Sequence, residues 1–162
     1  MEQTPIIRTK IVPDMIPGLK VPRLNYYIRN EYFIPIDEAQ GQGAQRFFMP
    51  SELYVIGVLH ALTEKGIDLN KTIIPAFKKN RAVIVEQIKT AMSDDVLVIQ
   101  GDKIELSKKE YTVPSGSKGD WTPVIILPVG RIIMDINERL EKRRQGLEKF
   151  RENIRKKKQE KK

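Results

Sequence analysis

The chain of 162 residues contains no cysteine and a single histidine, His60. The first absence removes disulfide frameworks, thiolate metal sites, thiol redox switches and cysteine nucleophiles together. The second leaves almost no room for a multi-histidine metal site or for Ser-His-Asp chemistry. No apolar run approaches the roughly 18 residues needed to cross a bilayer, and the N-terminal MEQTPIIRTK lacks the apolar stretch of a secretory signal. What the chain does have is 40 % apolar and 31 % charged residues. That is enough for one folded domain with extensions. The expectation is a basic, soluble, cytoplasmic binding protein that needs no cofactor, metal or membrane, rather than an enzyme.

The formal charge of +8 is unevenly spread. Residues 141–162 hold 11 Lys and Arg against 4 Asp and Glu, a net of +7, whereas residues 1–140 are nearly neutral. The basic block ends in Arg155-Lys156-Lys157-Lys158 and Lys161-Lys162. Such a block reads either as a nucleic-acid arm or as a solvated helix end. Any nucleic-acid surface in the first half must therefore come from arrangement and not from bulk charge.

Local patterns divide the chain into five stretches. Residues 1–10 read as an irregular arm. Residues 11–92 read as one mainly helical domain. Two short helices are expected between Ile11 and Asn30, separated by Pro17-Gly18, with Pro22 at the start of the second. Ile34–Phe48 reads as a hairpin with Gln40-Gly41-Gln42-Gly43 at its tip. Pro50-Ser51-Glu52 opens a helix whose Leu53, Ile56, Leu59 and Leu62 share a face, and Lys65-Gly66 stops it. Asp68–Met92 reads as a further helix with Ile73, Phe77, Ile84 and Ile88 inside and Pro75 near its start. Residues 93–129 read as a small antiparallel β module: strands flank Gly101-Asp102, a loop covers Tyr111–Trp121, and a third strand lies between Pro123 and Pro128.

Residues 130–154 read as one long helix. Ile133, Ile136, Leu140, Arg143, Leu147, Phe150 and Ile154 step by three and four, a narrow heptad stripe broken only by Arg143. The expected use of Ile133, Ile136, Leu140, Leu147, Phe150 and Ile154 is a homodimeric coiled coil, with a helix packed on its own domain as the alternative. Residues 155–162 form the basic tail.

No catalytic constellation emerges. His60 sits beside the core face of its helix and reads as a structural histidine. Asp37-Glu38 and Asp94-Asp95 are adjacent pairs, whose side chains do not converge, so turn and cap roles are expected. Ser115-Gly116-Ser117-Lys118-Gly119 lacks phosphate-loop spacing. Residues 20–48 differ. Two helices joined by a tight turn, the second carrying Arg23, Asn25, Tyr26, Tyr27 and Arg29, form a helix-turn-helix pattern. Tyr27, Phe33 and Phe48 are expected in the core, whereas Tyr26 and the arginines suit phosphate contacts.

Gly18-Leu19-Lys20-Val21-Pro22-Arg23-Leu24-Asn25-Tyr26-Tyr27 resembles, without a gap, the Gly-Val-Ser-x-Arg-Thr-Leu-Arg-Tyr-Tyr signature of the MerR family of bacterial transcription regulators. Gly41-Gln42-Gly43-Ala44-Gln45-Arg46-Phe47-Phe48 followed by Ser51-Glu52-Leu53 is similar to that family's wing, and the run from Leu59 to Leu69 to its next helix and stop. The likeness covers about residues 11–80. Asn25 stands where the family has Arg, and Glu31 where it has Gly. The family's cysteine metal ligands and its large drug-binding domain have no counterpart. The resemblance implies a winged helix-turn-helix, an antiparallel dimer through the long helix, and binding to a pseudo-palindromic site by distortion of the duplex.

The expected fold class is therefore α+β, mostly α: a winged helix-turn-helix, a small antiparallel sheet and a long C-terminal dimerisation helix. The expected partner is double-stranded DNA in the bacterial nucleoid. Lys20, Arg23 and Asn25 would approach base edges or phosphates, Tyr26, Arg29 and Arg46 would hold phosphates, and Gln42 and Gln45 would lie at the wing. Two alternatives remain open: an assembly protein that binds protein partners, and a regulator sensing an unknown small-molecule effector through residues 94–128 and Trp121.

Overall fold

A computed structural model describes residues 7–32, 46–100, 103–108 and 124–159. The expected wing tip with Gln42 and Gln45, Phe33, the Asp37-Glu38 pair, the 111–121 loop with Trp121, and the turn at Gly101-Asp102 lie outside the described residues, as does the side chain of Phe77. The chain is mostly helical with small antiparallel sheets, an α+β protein.

Strand β1 (Ile7–Arg8) and a 3-10 turn (Thr9–Ile11) lead into helix α1 (Val12–Met15). Residues 7–10 are thus not part of an irregular arm. Ile7 is buried and pairs with Phe48, and Arg8 with Phe47, across to strand β2 (Phe47–Phe48). Two-residue strands are too short to show an alternating pattern, so this pairing left no trace in the sequence.

Helix α2 (Val21–Arg29) carries a proline in its first turn, as expected. Gly18, in the turn between α1 and α2, has φ +80°, a conformation that a Cβ disfavours. Helix α3 (Pro50–Glu64) buries Leu53, Ile56, Leu59 and Leu62 completely. At its start the Met49 N–H donates to the Glu52 carboxylate at 2.6 Å.

The expected continuous helix after Asp68 is two pieces: a wide π turn (Leu69–Ile73), then α4 (Ile74–Thr90). The Asp68 carboxylate caps the turn by accepting from the backbone of Asn70 and Lys71 at 3.0 and 3.4 Å. Pro75, in the first turn of α4, has no N–H to return to the preceding turn, so a regular α-helical ladder cannot run through it. Ile73, Ile84 and Ile88 face the core.

Strands β3 (Asp95–Gln100), β4 (Lys103–Lys108) and β5 (Val124–Leu127) form an antiparallel sheet in the order β4-β3-β5. Gln100 pairs with Lys103, the register of a two-residue hairpin. Asp95 acts as a turn residue: it accepts from Met92 N at 2.8 Å and from Lys108 Nζ at 2.6 Å. These partners hold its carboxyl below the ordinary range. Leu97, Ile99 and Leu127 join the same hydrophobic cluster as the helices.

Helix α5 (Val129–Gln159) runs through the stretch assigned to a tail, at least as far as Gln159. Its stripe divides into two uses. Ile133 and Ile136 are buried in their own chain, and Ile132 and Leu140 pack against that cluster. Gly57 of α3 makes the close approach possible: a Cβ there would lie 2.8 Å from Ile136 Cδ1 and 3.0 Å from Ile132 Cγ2. Tyr54 donates to Asn137 Oδ1 at 2.6 Å across the same contact. Ile133 and Ile136 are therefore core residues, a correction to their assignment to a dimer seam. Arg143 breaks the stripe where the helix leaves the body, and it faces Asp14 at 3.9 Å. Beyond it Leu147, Phe150 and Ile154 are 48, 63 and 40 % exposed.

Candidate nucleic-acid interface

Helix α2 has two faces. Leu24, Tyr27 and Ile28 are buried. Val21, Pro22, Arg23, Tyr26 and Arg29 are exposed, as is Lys20 at its N-terminus. With 100° between successive residues, Pro22, Tyr26 and Arg29 form the outward ridge, and Arg23 and Asn25 lie along its opposite edges. The helix thus offers two guanidinium groups, a phenol, an amide and the Lys20 ammonium on one solvent-facing surface.

The Asn25 edge meets Arg46. Arg46 immediately precedes β2, and its carbonyl is anchored by the Thr9 backbone N–H and the Thr9 hydroxyl, both at 3.2 Å. From that fixed backbone Arg46 Nη1 donates to Asn25 Oδ1 at 3.4 Å. Two residues 21 positions apart in sequence are therefore side by side. The amide nitrogen of Asn25 has no partner among the described residues. Four residues of the predicted set (Arg23, Asn25, Tyr26 and Arg29) lie on α2, Lys20 caps its start and Arg46 adjoins it, while Gln42 and Gln45 lie outside the described residues.

The C-terminal end of α2 closes in a Schellman turn. Glu31 N donates to Ile28 O at 3.0 Å and Tyr32 N to Tyr27 O at 3.0 Å, with Glu31 at φ +55°. This turn folds Tyr32 back onto the helix, so that the rings of Tyr26, Tyr27 and Tyr32 pack within 5.7–6.3 Å of one another. Tyr27 is fully buried, and its hydroxyl donates to Thr63 Oγ1 at 3.0 Å. The Thr63 hydroxyl in turn donates to Leu59 O at 2.9 Å. Burial raises the Tyr27 pKa. Tyr32 is buried too; its hydroxyl donates to Asn70 Oδ1 at 2.6 Å and stands 3.3 Å from the Tyr26 hydroxyl. Burial, then the Tyr26 hydroxyl, push the Tyr32 pKa to about 12. Sequence reasoning missed Asn70 altogether: a single asparagine 38 positions from Tyr32 carries no local signal.

His60 lies under the other side of the α1–α2 turn. A Cβ on Gly18 would lie 3.3 Å from its Nε2. The ring is buried, and neither nitrogen has a well-formed hydrogen bond. Burial lowers the His60 pKa, against the Glu64 charge and the Pro17 carbonyl; Arg23 acts with burial. His60 is buried, as its place beside the core face of α3 implies, and it lies against the α1–α2 turn.

Among the described residues no group of three or more His, Cys, Asp or Glu side chains is placed to hold a metal ion. No helix among them is long and apolar enough to cross a membrane. No known family model matches the chain, and no curated protein sequence matches it.

Proposed function

We propose that the chain is a homodimeric, sequence-specific double-stranded DNA-binding protein, a MerR-like transcription regulator in which α1, the Gly18 turn and α2 act as a helix-turn-helix. The observation that carries this reading is the meeting of Arg46 with Asn25 at the half-buried edge of the exposed, cationic face of α2. In a winged helix-turn-helix the second helix reads the major groove while a neighbouring strand pair follows the backbone. The pairing of residues 7–8 with 47–48, next to Arg46 and its contact with Asn25 of α2, is compatible with that reading. An Asn with a free amide donor can read adenine, and Arg and Tyr can hold phosphates.

The positive φ of Glu31 also supports the resemblance. Glu31 stands where the family carries Gly, and at φ +55° a glycine would be unstrained. The family backbone therefore suits this position even where its residue is different.

The exposed Leu147, Phe150 and Ile154 favour self-association and serve the assembly-protein alternative equally well. DNA footprinting on a library of duplexes separates the two readings. A protected site with two-fold related halves is expected. Absence of a protected site at every salt concentration would leave the assembly reading.

A further inference from the structure

The phenol of Tyr26 has one proton to donate, and in this structure that proton is already committed. Tyr32 donates its hydrogen bond to Asn70 Oδ1 at 2.6 Å, so its oxygen can only accept at the 3.3 Å contact with Tyr26. Tyr26 must then be the donor. The chain of hydrogen bonds runs inward, from the exposed face of α2 through Tyr32 to the π turn. In this polarity Tyr26 presents only lone pairs to solvent, and lone pairs do not bind a phosphate oxygen.

The polarity is reversible without moving any ring. Asn70 carries a carbonyl and an NH2 on one planar group, and its Nδ2 has no partner among the described residues. Half a turn of that carboxamide points Nδ2–H at the Tyr32 oxygen. Tyr32 then donates to Tyr26, and Tyr26 donates outward. Each hydroxyl keeps one proton throughout, and no net charge moves.

We propose that Tyr26, Tyr32 and Asn70 form a polarity-reversible hydrogen-bond relay in which the Asn70 amide sets whether Tyr26 can donate to a nucleic-acid phosphate. Tyr26 touches the phosphate, while Tyr32 and Asn70 are positioning residues acting through it. The site is built for the purpose. Tyr32 is buried as a residue, and its hydroxyl lies between the Tyr26 hydroxyl and Asn70 Oδ1. The Asp68 carboxylate clamps the Asn70 backbone N–H at 3.0 Å, leaving the Asn70 side chain as the part that turns. Chains of hydroxyls polarise one another, so a Tyr26 that accepts from Tyr32 is a stronger donor than an isolated phenol. The inference rests on the DNA-binding reading above.

The test uses Asn70→Asp, because a carboxylate accepts but does not donate and so fixes the inward polarity. Affinity for a footprinted duplex is measured at one salt concentration for the full chain and for N70D, Y26F, Y32F and the N70D/Y26F and N70D/Y32F double variants. Folding is checked by thermal melting. N70D and Y26F are each expected to weaken binding about tenfold, the worth of one charge-assisted hydrogen bond. N70D is expected to add no further loss to Y26F. Y32F cuts the relay and frees the Tyr26 proton, so N70D/Y32F is expected to regain most of the affinity lost in N70D. A merely electrostatic effect of the new carboxylate would persist in both double variants, and that result overturns the relay alone. A wild-type chain that binds no duplex overturns the DNA reading and the relay with it.

Discussion

At the scale of single residues, two side chains are held in states that cost stability. Glu31 occupies the left-handed region at φ +55° in order to turn Tyr32 back under Tyr26. A non-glycine residue there costs on the order of 1–2 kcal/mol, partly offset by the greater chain entropy that Gly loses on folding. Glu31→Gly is therefore expected to stabilise the protein by about 1 kcal/mol, raising Tm by about 2–4 °C; a fall in Tm would mean that the Glu31 side chain makes a contact worth more than the strain. His60 is the other case. Its folded pKa lies below the ordinary 6.5 because burial disfavours the charged ring. As pH falls through about 6.5 the unfolded chain takes up a proton that the folded chain refuses, so stability falls from there downward until the folded pKa is reached. No other histidine is present, and Asp95, whose pKa is lowered, loses its contribution only as pH falls through the ordinary carboxylate range and below it. Urea unfolding at pH 7.5 and 5.5 is expected to show a loss in the wild type that is smaller in His60→Leu. Equal losses would assign the acid sensitivity elsewhere. Residues on a repeating face, such as Leu53, Ile56, Leu59 and Leu62, were legible in the sequence because burial follows the helical period. Tyr32 and Asn70 were not, since their pairing exists only once α2 and the π turn are packed together.

At the scale of elements, punctuation was the readable part. Pro22, Pro17-Gly18 and Lys65-Gly66 mark helix starts and stops through φ limits and missing N–H groups, and each falls at the expected boundary. The π turn before α4 was not legible, because it depends on how Pro75 and the Asp68 cap share one turn. The long helix shows why a heptad stripe alone cannot assign its partner. Ile133 and Ile136 use the stripe to fill their own core, Arg143 ends that contact beside Asp14, and only Leu147, Phe150 and Ile154 remain open. A substitution that tests the proposed dimer must therefore avoid Leu140, which packs against the core. Leu147→Lys with Phe150→Lys is expected to yield a monomer by sedimentation with Tm changed by no more than the loss of dimer explains. An unchanged dimer would place the self-association surface elsewhere on the molecule.

At the scale of the whole molecule, the excess charge and the proposed recognition surface lie in different parts of the chain. The net +7 lies in residues 141–162, along and beyond the free half of α5, while the proposed reading surface lies in a nearly neutral first half. Arg155 stands about 22 Å along the helix axis from Leu140, at about 1.5 Å per residue. Under the proposed function the two regions would have separable roles: the helix end would add non-specific attraction, and α2 with Arg46 would supply preference. Deleting residues 155–162 is expected to lower affinity and its salt dependence while leaving the preferred sequence unchanged. The most direct measurement is an equilibrium titration of a footprinted duplex and a scrambled one between about 50 and 200 mM salt, comparing the wild type with Arg23→Ala/Arg29→Ala. Wild-type affinity is expected to fall steeply with salt and to favour the footprinted duplex. The double variant should lose about 1–2 units of slope if both guanidiniums neutralise phosphates, and should bind the footprinted duplex more weakly. Salt-independent binding, or an α2 double variant indistinguishable from wild type, would contradict the assignment of α2 as the DNA-contacting helix.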